Sequence, residues 1–249
     1  MGQRMPQFFV DKSLEVGKEV EITGRDAHHI NDVLRLGGGD WLVLSDGMGR
    51  SFRAKITSVV SRKVNAVIEA EIIRRQAADP PALAFAVIKH DRSEWIIQKA
   101  VELGLKDIVP FYCERTIPTF RSADKKIPRW LKIAHDAAKQ SGLPFLPKIS
   151  APVEFRELLK RMPEYGSALL FWEGERETDL RTEIASLGPR VLLIVGPEGG
   201  FSNSEIETAK TAGAVTVSLG QQILRVETAA IVAVTLAQYE LGNLSLCKR

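Results

Sequence analysis

Apolar and polar residues alternate with a period of two in "EVEIT" (19–23), "SFRAKITSVV" (51–60) and "NAVIEAEI" (65–72). That is the pattern of strands with one face in a core and the other in water. "WLVLSDGMGRSFRAKI" (41–56) reads as two strands joined by a turn around Asp46-Gly47, a strong hairpin signal. Between the strands, "RDAHHINDVLRL" (25–36) has helical spacing. It predicts a helix that buries Ile30, Val33 and Leu34 and stops at Gly37-Gly38-Gly39. Short strands with one helix predict a small barrel-like β domain.

The period changes after "RRQAADPPAL" (74–83), whose Pro-Pro pair cannot continue a strand ladder and which reads as a linker. Beyond it, "LAFAVI", "DIVPFY", "ALLFW", "VLLIV" and "VTVSL" are short apolar runs, as expected of strands covered on both faces. Helical patterns alternate with them: "SEWIIQKAVELG" ending at Gly104, "IPRWLKIAHDAAKQSG" ending at Gly142, and a last helix over 227–241. Alternating strands and helices predict an α/β domain with a mostly parallel sheet. The expected division is 1–76 and 77–249.

The length of 249 residues fits one large or two modest domains, and 45% hydrophobic content supplies a core. No apolar run approaches the roughly eighteen residues of a membrane span, and the N-terminal stretch lacks a signal-peptide core. With two cysteines, Cys113 and Cys247, and no ligand cluster, the expectation is a cytoplasmic protein with no structural metal. The net charge is only +3, but residues 79–163 carry 15 basic against 10 acidic side chains. The density peaks in "RTIPTFRSADKKIPRWLK" (115–132), which reads equally as a phosphate-holding surface or as a solvated loop entering a helix.

Two glycine-bearing loops carry the candidate chemistry. "VLLIVGPEGGFSNSEI" (191–206) reads as strand, tight turn and helix, with Ser202 and Glu205 at capping-box spacing and Gly213 as the helix stop. It contains no phosphate-loop motif and no basic residue between Val191 and Thr208, and Glu198 would repel a polyphosphate. A neutral or cationic ligand fits better. The second loop, "VSLGQQILRVETAA" (217–230), brings Leu219, Gly220, an apolar Ile223-Leu224 pair and Arg225. Ligands of parallel α/β sheets sit at the carboxyl ends of strands. Two such loops can line one crevice: apolar side chains sandwich a flat ring, free backbone amides read its edge, and Arg225 lends a permanent charge. The alternative for Arg225 is a surface ion pair with Glu227 or another acid.

"LLIVGPEGGFSNSEI" followed by "LGQQILRVETAA" resembles the paired C-terminal motifs of the RsmE family, SPOUT-class methyltransferases acting on N3 of a uridine in 16S ribosomal RNA. The resemblance runs along nearly the whole chain. It takes in "HHINDVLRLGGGD" (28–40), "IKHDRSEWIIQKAVELGLKDIVPFYCERT" (88–116) and "RWLKIAHDAAKQSG" (129–142). Two departures stand out. Lys139-Gln140-Ser141-Gly142-Leu143 replaces the family's Glu-Gln-Ser-x-Arg, and Val226 replaces a threonine.

The resemblance implies a PUA-like N-terminal barrel that binds RNA and a C-terminal SPOUT domain with a deep trefoil knot, working as a homodimer on 16S rRNA or the small ribosomal subunit. It implies S-adenosylmethionine as the cofactor, held by Val195, Gly196, Pro197, Glu198, Gly199, Gly200, Leu219, Gly220, Ile223, Leu224, Thr228 and Ala229. Arg225 is the expected catalytic residue. Arg35, Arg115, Arg121, Lys125, Lys126 and Arg129 are the expected RNA track. Two alternatives are a SPOUT enzyme acting on another RNA nucleotide and a non-catalytic RNA-binding or ribosome-assembly protein.

Overall fold

The structure is a computed structural model that describes residues 5–60, 62–73, 78–89, 91–117 and 126–244. Arg121, Lys125, His90, Cys247 and linker residues 74–77 lie outside the described residues. The chain forms two compact units. One comprises Met1–Arg75 with Ala138–Leu146, and the other comprises Gln76–Ala137 with Pro147–Arg249.

The first unit is a five-stranded sheet in the order β1-β3-β4-β5-β2. Its strands are β1 (Gln7–Phe9), β2 (Glu19–Thr23), β3 (Trp41–Ser45), β4 (Ser51–Val60) and β5 (Lys63–Glu71). β1 pairs with β3 in parallel and the other pairs are antiparallel. The alternating apolar positions, among them Val20, Ile22, Leu42, Leu44, Phe52, Ala54 and Ile56, face one core. The β3–β4 hairpin turns where expected, with the Asp46 N–H donating to the Arg50 carbonyl.

The helix read from "RDAHHINDVLRL" departs from its expected form. An α-helical turn, α1 (Gly24–His28), passes directly into a π-helical turn over His29–Val33, in which the Leu34 N–H reaches the His29 carbonyl. A π turn takes an extra residue and rotates the side chains beyond it about the helix axis, so Ile30 is fully buried while Val33 is 61% exposed. The stop also comes early. Arg35, not a glycine, takes the left-handed backbone at φ 54°, a conformation that costs a non-glycine residue roughly 1–2 kcal/mol.

Residues 138–146 belong with this unit through specific bonds that the sequence pattern did not foretell. Lys139 Nζ lies 2.8 Å from Asp26 and over the Phe8 ring. The Gln7 amide donates to the Leu143 carbonyl, and Phe145 bridges to Gly47 and Met48. Leu143 makes this contact through its backbone carbonyl.

The second unit contains a seven-stranded sheet in which every pair is parallel. Its strands are β6 (Ala82–Ala86), β7 (Asp107–Tyr112), β8 (Lys148–Ile149), β9 (Val153–Glu154), β10 (Ser167–Phe171), β11 (Val191–Val195) and β12 (Val215–Val217). The order is β12-β10-β11-β6-β7-β8, with β9 also on β7. The helices are α2 (Arg92–Glu102), α3 (Ile127–Ser141), α4 (Phe155–Arg161), α5 (Leu180–Ala185), α6 (Asn203–Thr211) and α7 (Val226–Glu240). All residues of β6 and β11 are buried, which is why they read as unbroken apolar runs. Gly104, Gly142 and Gly213 take positive φ after α2, α3 and α6, as their stop role requires. Trp130 is fully buried, whereas Trp95 is 43% exposed.

The loop after β10 is tied down by Glu175, a carboxylate only 7% exposed. It accepts from the Thr216 hydroxyl and from the N–H groups of Arg176, Glu177 and Thr178. These donors, first the Thr216 hydroxyl, hold its pKa at about 2 against the opposing effect of burial. A depressed carboxylate stabilises the fold above its unfolded pKa, near 4.5, and loses that contribution as pH falls towards 2. Replacement of Glu175 by Gln is therefore expected to lower stability at pH 7 by on the order of 2–3 kcal/mol. Urea unfolding at pH 7, 4 and 2.5 checks this, with the gap to the parent protein closing at the acid end.

Candidate active site

Three strand ends meet at one edge of the parallel sheet. β10 lies between β11 and β12, and Phe171 is in register with both Val195 and Val217. The three chains therefore leave the sheet at one level, and their loops enclose a cleft of about 370 Å³. Val195, Gly196, Pro197, Glu198, Gly199 and Gly200 border it from the β11–α6 loop. Leu219, Gly220, Ile223, Leu224 and Arg225 border it from the β12–α7 loop, with Ala229 from α7. Thr228, expected with them, is exposed on α7 and does not border the cleft.

The first loop is shaped by close packing. A Cβ on Gly196 would sit 2.7 Å from the Phe201 ring. That ring is 3% exposed and lies in the core against Phe111 and Phe155, with centroids 6.2 and 5.1 Å away. Gly200 takes φ 67°, its N–H closes the turn onto the Pro197 carbonyl at 2.9 Å, and a side chain there would strike the Glu173 carboxylate. Helix α6 then starts from a complete capping box between Ser202 and Glu205. Glu205 also accepts from the Glu114 N–H at 2.8 Å, which fastens the helix start to the segment after β7.

The second loop is more open. Gly220 takes φ 115°, held by mutual bonds with the Ser218 hydroxyl. Ile223, half of the apolar pair read from the sequence, is 88% exposed at the cleft. The backbone N–H groups of Leu219, Ile223 and Leu224 make no hydrogen bond among the described residues. Arg225 is the N-cap of α7 with an extended backbone. Its exposed side chain has no partner among the described residues, so the alternative ion pair with Glu227 does not form.

The third wall escaped the sequence reading. Phe171, Trp172 and Glu173 border the cleft from the end of β10. The rule that ligands sit at carboxyl ends of parallel strands applied equally to "ALLFW", but only the strand order reveals that β10 lies between the other two. Arg92 was also missed. Its guanidinium lies 2.6 Å from Glu198 and 3.8 Å from Glu227.

Four residues of the expected RNA track lie among the described residues. Arg115 donates to the Gly199 carbonyl at 2.9 Å and so braces the glycine turn. Arg129 pairs with Glu94 at 2.7 Å and Asp91 at 3.8 Å. Lys126 is half-buried just before α3, and Arg35 is exposed in the first unit. Of the histidines, His28 contacts Asp32, and His29 lies edge-on to Phe8. Among the described residues no group of three His, Cys, Asp or Glu can hold a metal, and no helix is long and apolar enough to cross a membrane. Burial raises the Cys113 thiol to about 11, which leaves it a poor nucleophile near neutral pH.

Comparison with known proteins defines the class first. An RNA methyltransferase domain matches residues 76–238, and an RNA methyltransferase PUA domain matches residues 22–69. The ribosomal RNA small subunit methyltransferase E of Bacillus subtilis (strain 168) is 32% identical over 251 residues, covering 95% of this chain and 97% of that protein. A ribosomal RNA small subunit methyltransferase E from Neisseria gonorrhoeae, solved bound to S-adenosyl methionine, is 32% identical with a TM-score of 0.86. That match covers 95% of this chain and 98% of the solved one. A methyltransferase from Legionella pneumophila, solved with the same cofactor, is 30% identical with a TM-score of 0.83, covering 95% and 98%. The chain belongs to the ribosomal RNA small subunit methyltransferase E family.

The cleft suits that cofactor. Its bordering charged residues are Glu173, Glu198 and Arg225, with Glu198 already paired to Arg92, so the cleft border has no cluster of cations of the kind a polyphosphate needs. Exchange of Gly200 for Ala imposes left-handed strain of roughly 1–2 kcal/mol and pushes Glu173 out of place. The expected result is a lower melting temperature together with weaker S-adenosylmethionine binding, measured by thermal denaturation and calorimetric titration.

Proposed function

We propose that this protein transfers a methyl group from S-adenosylmethionine to N3 of a uridine in small-subunit ribosomal RNA, in the cytoplasm and as a homodimer. The observation that carries the reading is the cleft itself. Two glycine loops and a third strand end form a cleft whose β11–α6 loop has no phosphate-loop motif and no basic residue, with the Arg225 guanidinium, unpaired among the described residues, at its border.

The cofactor supplies an electrophilic methyl carbon on a cationic sulfur. The protein's part is placement and charge. Backbone amides of Leu219, Ile223 and Leu224 are available to the edge of a flat ring, and Leu219, Ile223 and Leu224 supply apolar surface for its faces. Pyrimidine N3 becomes a nucleophile only when its proton leaves, and negative charge then spreads onto O2 and O4. In this reading Arg225, without a side-chain partner among the described residues, meets that charge and lowers the barrier. Holding N3 in line with the methyl carbon and sulfur supplies much of the rest.

The first unit is the RNA-facing domain in this reading, with Arg35 among its exposed cations. Ile223, 88% exposed beside the cleft, is apolar surface that a second subunit would cover. The trefoil knot belongs to the same proposal, supported by a strand order in which the late strand β11 lies between β6 and β10.

Mutation of Arg225 to Ala is the direct test. Methylation of the small-subunit RNA is expected to fall by about a hundredfold or more, with S-adenosylmethionine affinity within a few-fold of the parent. Near-normal turnover would remove Arg225 from the mechanism. Mass mapping of the modified RNA identifies the base and atom.

A further inference from the structure

We propose that Arg92 is a positioning residue that clips the two cofactor-side loops together through Glu198 and Glu227. The proposal rests on the methyltransferase reading, because it assigns to those loops a shared ligand. Arg92 is the first residue of α2, where the partial positive charge of a helix N-terminus opposes a guanidinium. Its place is compensated from elsewhere. Nη2 lies 2.6 Å from Glu198 in the glycine turn, and Nη1 lies 3.8 Å from Glu227 in the first turn of α7. Side-chain exposures of 36%, 30% and 15% put the three groups where water screens them only in part.

The base of the clip is rigid. The Ser93 hydroxyl, in a residue 1% exposed, donates to the Ile88 carbonyl and accepts from the Ile88 N–H, at 3.1 and 3.2 Å. This fixes the start of α2 just beyond β6. One end of the clip lies in the β11–α6 loop and the other in the first turn of α7, two segments that no sheet ladder joins. Glu227 Oε2 is buried and makes no hydrogen bond among the described residues, so the Arg92 cation is its electrostatic counterweight. Glu227 also follows Arg225 by two residues. The Glu198 arm is short and strong, and the Glu227 arm is long and weak. Arg115 holds the Gly199 carbonyl separately, so loss of Arg92 loosens the turn rather than unfolding it.

The test uses the full chain with Arg92→Ala, Arg92→Lys, Glu198→Ala and the Arg92→Ala/Glu198→Ala pair. Calorimetric titration with S-adenosylmethionine should show binding weakened on the order of tenfold by either alanine variant and no further by the pair, as expected for two ends of one contact. Arg92→Lys should recover part of the loss. Under saturating RNA the KM for the cofactor should rise while kcat changes by less than about twofold. Amide exchange is read in parallel with no cofactor present, at the Gly200 N–H bonded to Pro197. It should accelerate in Arg92→Ala. Unchanged exchange at Gly200, or losses that add in the double variant, would overturn the clip. Absence of cofactor binding in the parent protein would sink the methyltransferase reading instead and leave the exchange result to judge the clip. Where Arg92→Ala fails to fold, Arg92→Lys and Glu198→Ala carry the same comparison.

Discussion

The parallel pairing of β10 with both β11 and β12 is the constraint on which the whole site depends. Parallel strands point their carboxyl ends the same way, and the shared register at Phe171 puts three exits at one level. The chain must then turn three times over the same edge. Each turn leaves backbone groups outside the ladder, and those groups, with the side chains between them, are the raw material of a binding cleft. Antiparallel pairing of any one strand would have sent its loop to the opposite edge of the sheet.

Core and cleft are continuous in this design. Phe201 belongs to the aromatic group under the sheet edge and also dictates glycine at 196. Glu173 borders the cleft and lies against Gly200, whose left-handed backbone at φ 67° calls for glycine. The glycines of the turn are thus set by protein packing before any ligand is considered. The same holds for charge. Glu198 is held by Arg92, and Gly199 by Arg115, so both polar groups nearest the turn are already engaged. Arg225 differs in having no such partner among the described residues, and the proposed reaction makes use of that contrast.

The basic middle third shows how little a charge count says about availability. Arg115 and Arg129 stood in the sequence as members of an RNA-facing stretch. In the folded chain one is committed to a main-chain carbonyl and the other to two acids. Neither commitment has a local signature. Gly199 is 84 residues from Arg115, and Glu94 is 35 residues from Arg129. Long cations find partners through the tertiary fold, and spacing in sequence carries no trace of it.

Local physics was legible in the chain. Alternation marked β2, β4 and β5, unbroken apolar runs marked the buried strands, and Ser202 with Glu205 marked the start of α6. The same motifs carried the family resemblance, and eleven of the twelve expected cofactor residues border the cleft. These features depend on neighbours within a few residues, so a linear reading reaches them. The exposed Val33 and Ile223, the third wall at Trp172 and Glu173, the attachment of residues 138–146 to the first unit and the Arg92 bridge were decided elsewhere. Each depends on which strand lies beside which, or on a contact between residues far apart in the chain. The sequence by itself determined the elements and the turn chemistry. Only the tertiary structure chose their neighbours, because burial and pairing energies are shared among segments that the linear order keeps apart.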